Sequence, residues 1–334
     1  MSAAALDRLL GVLVLAIGAT GLLALTAGAP SGGWVFVGHD LVALAFAGAV
    51  VVKLGRSVPR AVRQRSFGRL ALGLAVTAAA LTGIVGGVAW VASGRLLTVG
   101  PLTVMTLHAW AGLVLVPLVV AHLLPRRWRL FGPSNVRAAA AHGVTRRSVV
   151  ALGALAFVAG AGFGTTGLAE RLIGGARRFT GSRVLPPGGI PPATTFIADT
   201  APALDPMAWR LRVHGLVDAP TDLDLAALER IGARDAVAIL DCTSGWALET
   251  AWRGTRLADV LALVRPSPRA GRIVVRSATG WTSSFDLAEA ERLLLATGVA
   301  GRPLPVANGA PCRLVAPDHR GLEWVKWVTE LEIA

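Results

Sequence analysis

Cys242 is one of only two cysteines in the chain, and it follows the apolar run at 236–240 and precedes the turn-forming sequence Thr243-Ser244-Gly245. A thiolate that is presented where a strand gives way to a glycine-containing turn is able to bind a soft metal. The alternative is a small buried hydrophobe, which unpaired cysteines beside buried strands often are. Two cysteines provide no disulfide framework.

Three histidines, His39, His108 and His122, lie within long apolar segments. Imidazole is costly inside a bilayer, so each of these residues is a candidate functional residue. His39 and His108 lie at similar distances from the same ends of their predicted helices. This arrangement suits bis-histidine ligation of a haem iron, and a structural hydrogen bond is the alternative.

The spacing of the histidines limits the number of haems. His108 and His122 are 14 residues apart, which returns nearly to the same helix face after an advance of about 21 Å. This spacing resembles the helix of membrane b-type cytochromes that ligates two stacked haems. The residue 14 positions after His39 is Lys53 and not a histidine. A second haem bound by His122 would therefore lack a histidine as its other axial ligand. We therefore predict one haem b on His39 and His108, with His122 left open as a possible iron ligand, and the lack of a CxxCH motif excludes covalent c-type haem.

The N-terminal half has the composition of a membrane protein. The chain is 54% apolar and only 16% charged, which favours membrane spans over a soluble fold. A membrane-spanning helix needs about twenty residues, and five apolar stretches have about this length. They predict five helices: Leu9–Ala27, Trp34–Val52, Leu70–Ala92, Leu102–Leu124 and Ser148–Leu168.

The basic residues are distributed unevenly. Residues 1–169 hold 14 Lys and Arg against two Asp, a net charge of +12, whereas residues 170–334 hold 19 against 18 acidic residues, a net charge of +1. Nearly all of the net charge of +13 therefore belongs to the membrane half. This removes the argument for nucleic-acid binding. Two loops carry nearly all of these cations: Lys53, Arg56, Arg60, Arg63, Arg65 and Arg69, and Arg126, Arg127, Arg129, Arg137, Arg146 and Arg147. Both loops are expected in the cytoplasm, which predicts a multi-pass protein of the cell membrane with its C-terminal domain extracytoplasmic.

A local motif agrees with that topology. Thr145-Arg146-Arg147-Ser148-Val149-Val150 precedes an apolar run and looks like a twin-arginine export motif. The alternative is two further arginines that obey the positive-inside rule.

The C-terminal part carries several motifs in a fixed order. They are Trp209-Arg210-Leu211-Arg212-Val213-His214-Gly215, the Cys242 block, Trp252-Arg253-Gly254, Asn308-Gly309-Ala310-Pro311-Cys312-Arg313 and Trp324-Val325-Lys326-Trp327. From about Thr195 to the C-terminus, this sequence resembles the molybdopterin-binding domain of the sulfite oxidase family.

The resemblance implies a Mo-molybdopterin cofactor with Cys242 as the protein ligand to molybdenum. The metal chemistry then belongs to the cofactor. The positions expected to contact the cofactor are Thr243, Ser244, Asn308, Arg313, His319, Arg320 and Lys326. A solvated strand edge is the alternative for Arg313 and Lys326, and a surface loop is the alternative for His319 and Arg320.

The sequence departs from the sulfite-oxidising members at the site itself. Those members carry an arginine soon after the cysteine, whereas residues 243–252 contain none, and the chain has no tyrosine. Asn308 stands where many relatives have histidine, and Cys312 is expected to be a buried thiol. These departures favour reduction of S-oxides or N-oxides, or oxidation of a less anionic substrate, over the alternative of sulfite oxidation.

The predicted organisation follows from these observations. The fold class is an α-helical membrane bundle of about five spans, followed by an α+β domain in which Arg272–Arg276 is a strand and Leu287–Ala296 a helix. Residues 1–145 form a four-helix cytochrome b-like domain, residues 146–170 the fifth span, residues 171–194 a Pro/Gly-rich linker, and residues 195–334 the catalytic domain.

The predicted function is oxygen-atom transfer on the extracytoplasmic side by a membrane-anchored molybdenum enzyme, with electrons relayed through the membrane haem b. The expected partners are the lipid bilayer, the quinone pool or a membrane electron carrier, and a small-molecule oxygen donor or acceptor. The competing hypothesis is non-enzymatic: a membrane cytochrome with a degenerate pterin fold that serves as a binding module.

Overall fold

The computed structural model describes residues 2–64, 70–126, 146–173, 175–194 and 200–334. Two compact units are present: Met1–Ala27 with Ser31–Arg183, and Gly28–Pro30 with Val184–Ala334. Several predicted features lie outside the described residues, namely Arg65, Arg69, Arg127, Arg129, Arg137, Thr145 of the twin-arginine-like motif and the domain boundary at Thr195.

The first unit is built from long apolar helices. Their bounds are α1 Ala3–Leu23, α2 Gly33–Gln64, α3 Leu70–Ala92, α4 Val104–Leu123 and α5 Arg146–Ile173, with a two-stranded hairpin, β1 Thr98–Val99 and β2 Leu102–Thr103, before α4. Hydroxyl caps fix two of the starts, because Ser2 accepts from the Ala5 N–H and Thr103 from the Thr106 N–H, each at 3.1 Å. Within the described part of the chain, all five helices are long and apolar enough to cross a membrane.

Close helix packing in this unit depends on small residues. A Cβ added at Gly18 would lie 3.0 Å from Val116, and one added at Gly48 would lie 3.0 Å from Leu155, so these helices approach more closely than larger residues allow. The side chains of the interior are Val14, Phe46, Val50, Ala80 and Leu115. Many large apolar side chains point outward instead, and Phe157 is 75% exposed.

An ion pair joins the first two helices. The Lys53 ammonium on α2 donates to the Asp7 carboxylate on α1, and both side chains are partly buried. Lys53 is the residue that stands 14 positions after His39, where a second haem would need its ligand. The Lys53 side chain is therefore paired with the Asp7 carboxylate at the position where that second ligand would stand.

The second unit contains two sheets. In one, the strands β6 Arg234–Cys242, β7 Trp246–Arg256, β10 Leu294–Val299, β11 Arg302–Pro303 and β12 Arg313–Val315 join the short β3 Arg183–Val184. In the other, the order is β5 Thr221–Leu223, β4 Leu211–Gly215, β13 Val328–Ile333, β8 Arg272–Ser277 and β9 Thr282–Asp286. The β13–β4 pair is parallel and the other described pairs are antiparallel.

Two short helices, α6 Leu225–Gly232 and α7 Leu257–Val264, complete the unit. Asp224 caps α6 by accepting from the Ala227 N–H at 2.7 Å. The predicted strand at Arg272–Arg276 is confirmed by β8, and the mostly antiparallel sheets with few helices agree with the α+β prediction for this unit.

The predicted helix at Leu287–Ala296 is wrong. A capping box between Asp286 and Glu289 starts a 3₁₀ turn, Leu287–Glu291, and Arg292 is its C-cap residue. The chain then enters β10, where Leu294, Leu295 and Ala296 are buried between β7 and β12. A short apolar run of a central strand has the same composition as a buried helical turn, so the pattern alone does not separate them.

Candidate functional site

The β6–β7 hairpin presents Cys242 at its tip. Cys242 pairs in register with Trp246, and the turn between them closes through the Gly245 N–H, which donates to the Cys242 carbonyl at 2.9 Å. Gly245 has φ of 92°, a left-handed conformation that favours glycine. The thiol is thereby partly exposed at the end of a regular strand.

Cys242 opens into a cavity of about 370 Å³. The walls come from the hairpin tip, the turn between β8 and β9, the segment before residue 195 and the chain from 308 to 327. The cavity is lined by Pro192, Thr194, Leu240, Cys242, Thr243, Ser244, Trp246, Ser277, Thr279, Gly280, Trp281, Asn308, Arg313, Gly321, Leu322, Trp324, Val325, Lys326 and Trp327. Six of the predicted site residues are thus brought together: Cys242, Thr243, Ser244, Asn308, Arg313 and Lys326.

Arg313 is the buried cation of the cavity. Its side chain donates to the Asn308 carbonyl at 3.0 Å and to the Trp324 carbonyl at 3.4 Å, and its guanidinium stacks on the Trp252 ring at 5.0 Å. Burial lowers the pKa of Arg313 to about 10, and the nearby Cys242 acts in the opposite direction. Arg313 therefore stays charged at neutral pH, although it is only 2% exposed.

Two donors of this cavity lack partners among the described residues. The indole Nε1 of Trp246 and the Nε of Arg313 are buried and make no hydrogen bond. Buried donors without acceptors are costly, and acceptor atoms of a bound group would satisfy them. A phosphate and the carbonyl and ring nitrogens of a pterin are acceptors of this kind, and the residues present fit a molybdopterin cofactor.

Lys326 and Asn308 direct their polar atoms toward the protein chain. Lys326 Nζ donates to the Thr194 carbonyl at 2.7 Å and to the Ala307 carbonyl at 3.0 Å. The Asn308 side-chain amide donates to the Pro191 carbonyl at 2.9 Å. Both side chains line the cavity, yet these bonds hold the segment just before residue 195.

His319 and Arg320 do not line the cavity. The His319 ring lies between the Glu323 carboxylate, 3.0 Å from Nδ1, and the Glu289 carboxylate, 2.9 Å from Nε2. The hydrogen bond to Glu323 raises the pKa of His319 to about 9, with a further contribution from Glu289. Arg320 bonds instead to the buried Asp241 carboxylate at 2.5 Å. Both side chains therefore pair with carboxylates that lie outside the cavity lining.

Sequence reasoning missed several residues of the cavity. Thr194 lies in the segment that was predicted as a linker, and nothing in its local sequence indicates a site. Trp246 and Trp281 are recognisable only from their turns, because each follows a glycine, Gly245 or Gly280, at a strand connection. For Trp281, a glycine turn followed by an aromatic residue was the sequence pattern that could have indicated a cavity residue.

In the helical unit, His39 and His108 face one another. Their ring centroids are 6.0 Å apart with an interplanar angle of 77°. Two imidazoles on opposite sides of one metal, at about 2 Å per bond, have centroids roughly 6 Å apart. His39 Nδ1 bonds to the Thr20 hydroxyl at 2.9 Å and His108 Nδ1 to the Gly83 carbonyl at 2.7 Å, which leaves Nε2 of each ring for a metal.

Glycines surround these rings. A Cβ added at Gly21 would lie 3.6 Å from Cε1 of His39, and one added at Gly87 would lie 3.4 Å from Cε1 of His108. A Cβ at Gly73 would lie 4.0 Å from Cε1 of His122. Glycine at positions 21 and 87 therefore places no side chain against the Cε1 edges of the His39 and His108 rings.

Comparisons with known proteins concern the second unit. Residues 198–334 match the family described as oxidoreductase molybdopterin binding domain. The uncharacterized oxidoreductase YuiH of Bacillus subtilis is 30% identical over 131 residues, which are 38% of this chain and 66% of YuiH. The protein-methionine-sulfoxide reductase catalytic subunit MsrP of Xanthomonas campestris is 31% identical over 141 residues, which are 37% of this chain and 44% of MsrP.

Among solved structures, the sulfane dehydrogenase SoxCD from Paracoccus pantotrophus is similar with 26% identity and a TM-score of 0.38, over 40% of each chain. The chain spans just under two thirds of YuiH and less than half of MsrP. The family match covers the cavity and all of its described lining except Pro192 and Thr194. Residues 198–334 are therefore a molybdopterin-binding oxidoreductase domain, and the protein is an oxidoreductase.

Proposed function

We propose that the protein is a membrane-anchored molybdenum enzyme that transfers an oxygen atom at the cavity beside Cys242. The observation that carries the proposal is the arrangement of Cys242, the buried cation Arg313 and the unpartnered donor Trp246 Nε1 around one cavity. Cys242 would bind the metal, and Arg313 and Trp246 would hold acceptor atoms of the pterin cofactor. When bound, molybdenum supplies the two-electron oxygen-atom chemistry.

The charges of the cavity support a neutral substrate. Arg313 is buried and stacked on Trp252, and Lys326 donates to the Thr194 and Ala307 carbonyls. No arginine occurs in residues 243–252, where an anion such as sulfite would be expected to find one by resemblance to sulfite-oxidising members. The cavity wall offers instead neutral hydroxyls and the indole of Trp281, which is 40% exposed.

The proposed reaction is the reduction of an S-oxide or N-oxide. Two electrons and two protons convert R₂S=O into R₂S and water, so the S–O bond breaks and the oxygen leaves as water. The similarity to a protein-methionine-sulfoxide reductase supports this direction. Trp281 would contact the organic part of the substrate, because sulfur and alkyl groups pack favourably against aromatic rings.

The helical unit would anchor the enzyme and deliver its electrons. Five apolar helices with outward-facing side chains such as Phe157 support a multi-pass membrane location. The basic loops support cytoplasmic placement of the α2–α3 and α4–α5 connections, with the catalytic domain on the extracytoplasmic side. His39 and His108 would ligate one haem b, which would relay single electrons from the quinone pool or another membrane carrier.

The experiment that tests this function is an anaerobic screen of oxygen donors and acceptors on the purified full chain, monitored by the reduced haem spectrum. Methyl sulfoxides and amine N-oxides are expected to reoxidise the dithionite-reduced protein, and sulfite is expected not to reduce the oxidised protein. Reduction by sulfite with no response to any S-oxide or N-oxide would contradict the proposed direction.

A further inference from the structure

Residues 185–194, here called the strap, run along the hairpin that carries Cys242. The Leu185 N–H donates to the Ala247 carbonyl and the Gly188 N–H donates to the Glu249 carbonyl, both at 2.8 Å. These bonds attach the first half of the strap to β7. The strap is thus ordered by the catalytic unit, although its sequence is rich in proline and glycine.

Two cavity side chains hold the second half of the strap. Asn308 donates to the Pro191 carbonyl at 2.9 Å, and Lys326 donates to the Thr194 carbonyl at 2.7 Å. Asn308 is buried and separated from Pro191 by 117 residues, so the bond is a tertiary contact. Together the two bonds hold the end of the strap at the cavity, where Pro192 and Thr194 are part of the lining.

This clamp places the Thr194 hydroxyl 3.3 Å from the sulfur of Cys242. The Ser244 N–H lies 3.5 Å from the same sulfur. A cysteine sulfur that binds a metal has lost its proton and is only an acceptor, so the hydroxyl must be the donor in that state. The sulfur of Cys242 therefore has two donors, one from its own turn and one from the strap.

We propose that the strap is part of the active site and that Thr194 is a positioning residue that tunes the metal through the Cys242 sulfur. A hydrogen bond withdraws charge from a ligating sulfur, which stabilises the reduced metal and raises its reduction potential. This inference rests on the proposed ligation of molybdenum by Cys242. It extends the site upstream of residues 198–334, the part that matches the family.

Three variants of the full-length protein separate the hydroxyl from the packing of the strap. Thr194→Val keeps the shape and removes the donor, Thr194→Ser keeps the donor, and Thr282→Val is the matched control on β9 outside the cavity lining. The readouts are molybdenum content and the reduction potential from an EPR-monitored redox titration. Thr194→Val should shift the potential downward, while Thr194→Ser and Thr282→Val should keep the wild-type value.

Other results of these measurements either support or contradict the role of the Thr194 hydroxyl. Loss of molybdenum in Thr194→Val with retention in Thr194→Ser supports the hydroxyl contact. An unchanged potential in metal-loaded Thr194→Val, or equal metal loss in both Thr194 variants, overturns the tuning role. A wild-type protein without molybdenum would instead contradict the proposed function on which the inference rests.

A second measurement tests the clamp without any cofactor. Asn308→Leu removes the bond to Pro191, so limited proteolysis of the full chain should cut the strap at least about tenfold faster than in wild type, as expected when roughly 1.4 kcal/mol of local stability is lost. Equal cleavage rates in the two proteins would overturn the claim that Asn308 holds the strap.

Discussion

The Arg320 guanidinium lies 2.5 Å from the Asp241 carboxylate, and both side chains are buried, with 6% and 2% exposure. Asp241 immediately precedes Cys242, and the Gly321 N–H donates to the Asp241 carbonyl at 2.7 Å. A Cβ added at Gly321 would lie only 3.1 Å from the Cα of Cys242. This ion pair therefore holds the loop after residue 317 directly against the strand end that presents the thiol.

Breaking the pair should destabilise the catalytic unit. Asp241→Asn removes the carboxylate charge that faces the buried Arg320 guanidinium, and we expect a loss of about 3–5 kcal/mol in the free energy of unfolding. Urea unfolding of the full chain, followed by tryptophan fluorescence, measures this change. The control is Asp235→Asn, whose partner Arg253 lies 3.7 Å away on the exposed face and whose loss should cost less than about 1 kcal/mol. Equal effects of the two substitutions would contradict the structural role of the buried pair.

His319 should make stability depend on pH in the alkaline range. Its pKa is raised to about 9 by Glu323 and Glu289, above the roughly 6.5 of an unfolded chain. The folded state therefore binds the proton more tightly, so the stabilisation is complete below about pH 6.5 and is lost as pH rises through 9. Thermal unfolding of wild type should show a larger fall in Tm between these pH values than His319→Gln. Parallel pH profiles would show that the imidazole does not titrate in this window.

The haem assignment predicts a difference among three histidines. The reduced wild-type protein should show a b-type alpha band with about one haem per chain. His39→Ala and His108→Ala should each abolish the band, because each removes one axial ligand. His122→Ala should retain it, since Lys53, where the partner of a second haem would stand, pairs with Asp7. The pyridine haemochrome assay measures the haem content of each variant. An alpha band that survives in His39→Ala would contradict ligation of the haem by His39 and His108.

Trp281 should affect substrate binding more than turnover. Its indole N–H donates to the Leu322 carbonyl at 3.0 Å, which fixes the ring at the cavity wall while leaving it 40% exposed. Trp281→Ala should raise the KM for an alkyl sulfoxide by about fivefold to tenfold, because a ring contact contributes about 1 kcal/mol. Trp281→Phe should restore most of the affinity in steady-state assays. A fall in kcat at unchanged KM would assign Trp281 to a different step.

The convergence of Cys242, Arg313, Asn308 and Lys326 on one cavity was predictable from the sequence. These residues lie within the motifs that resemble the sulfite oxidase family, and that resemblance implied their position at the cofactor. The five apolar helices were also predictable from the sequence, because the length and hydrophobicity of a segment indicate a membrane-spanning helix.

The role of the strap was not predictable. Thr194 contacts Cys242 across 48 residues of sequence, and its local composition indicates only a linker. His319 was expected near the cofactor, but its position depends on Glu289, a residue 30 positions away in the predicted helix at Leu287–Ala296 that proved wrong. Contacts of this kind depend on strand pairing, which local patterns do not encode.

The proposed function depends on Cys242 as the protein ligand of molybdenum. X-ray absorption at the molybdenum edge counts the sulfur atoms around the metal, and the two cysteines of the chain provide a matched pair of variants, Cys242→Ser and Cys312→Ser. Cys312 is buried beside Arg313 and does not line the cavity. We predict one fewer Mo–S bond than wild type in Cys242→Ser and an unchanged number in Cys312→Ser. An equal sulfur count in wild type and Cys242→Ser, or a wild-type protein that contains no molybdenum, would contradict ligation of the metal by Cys242.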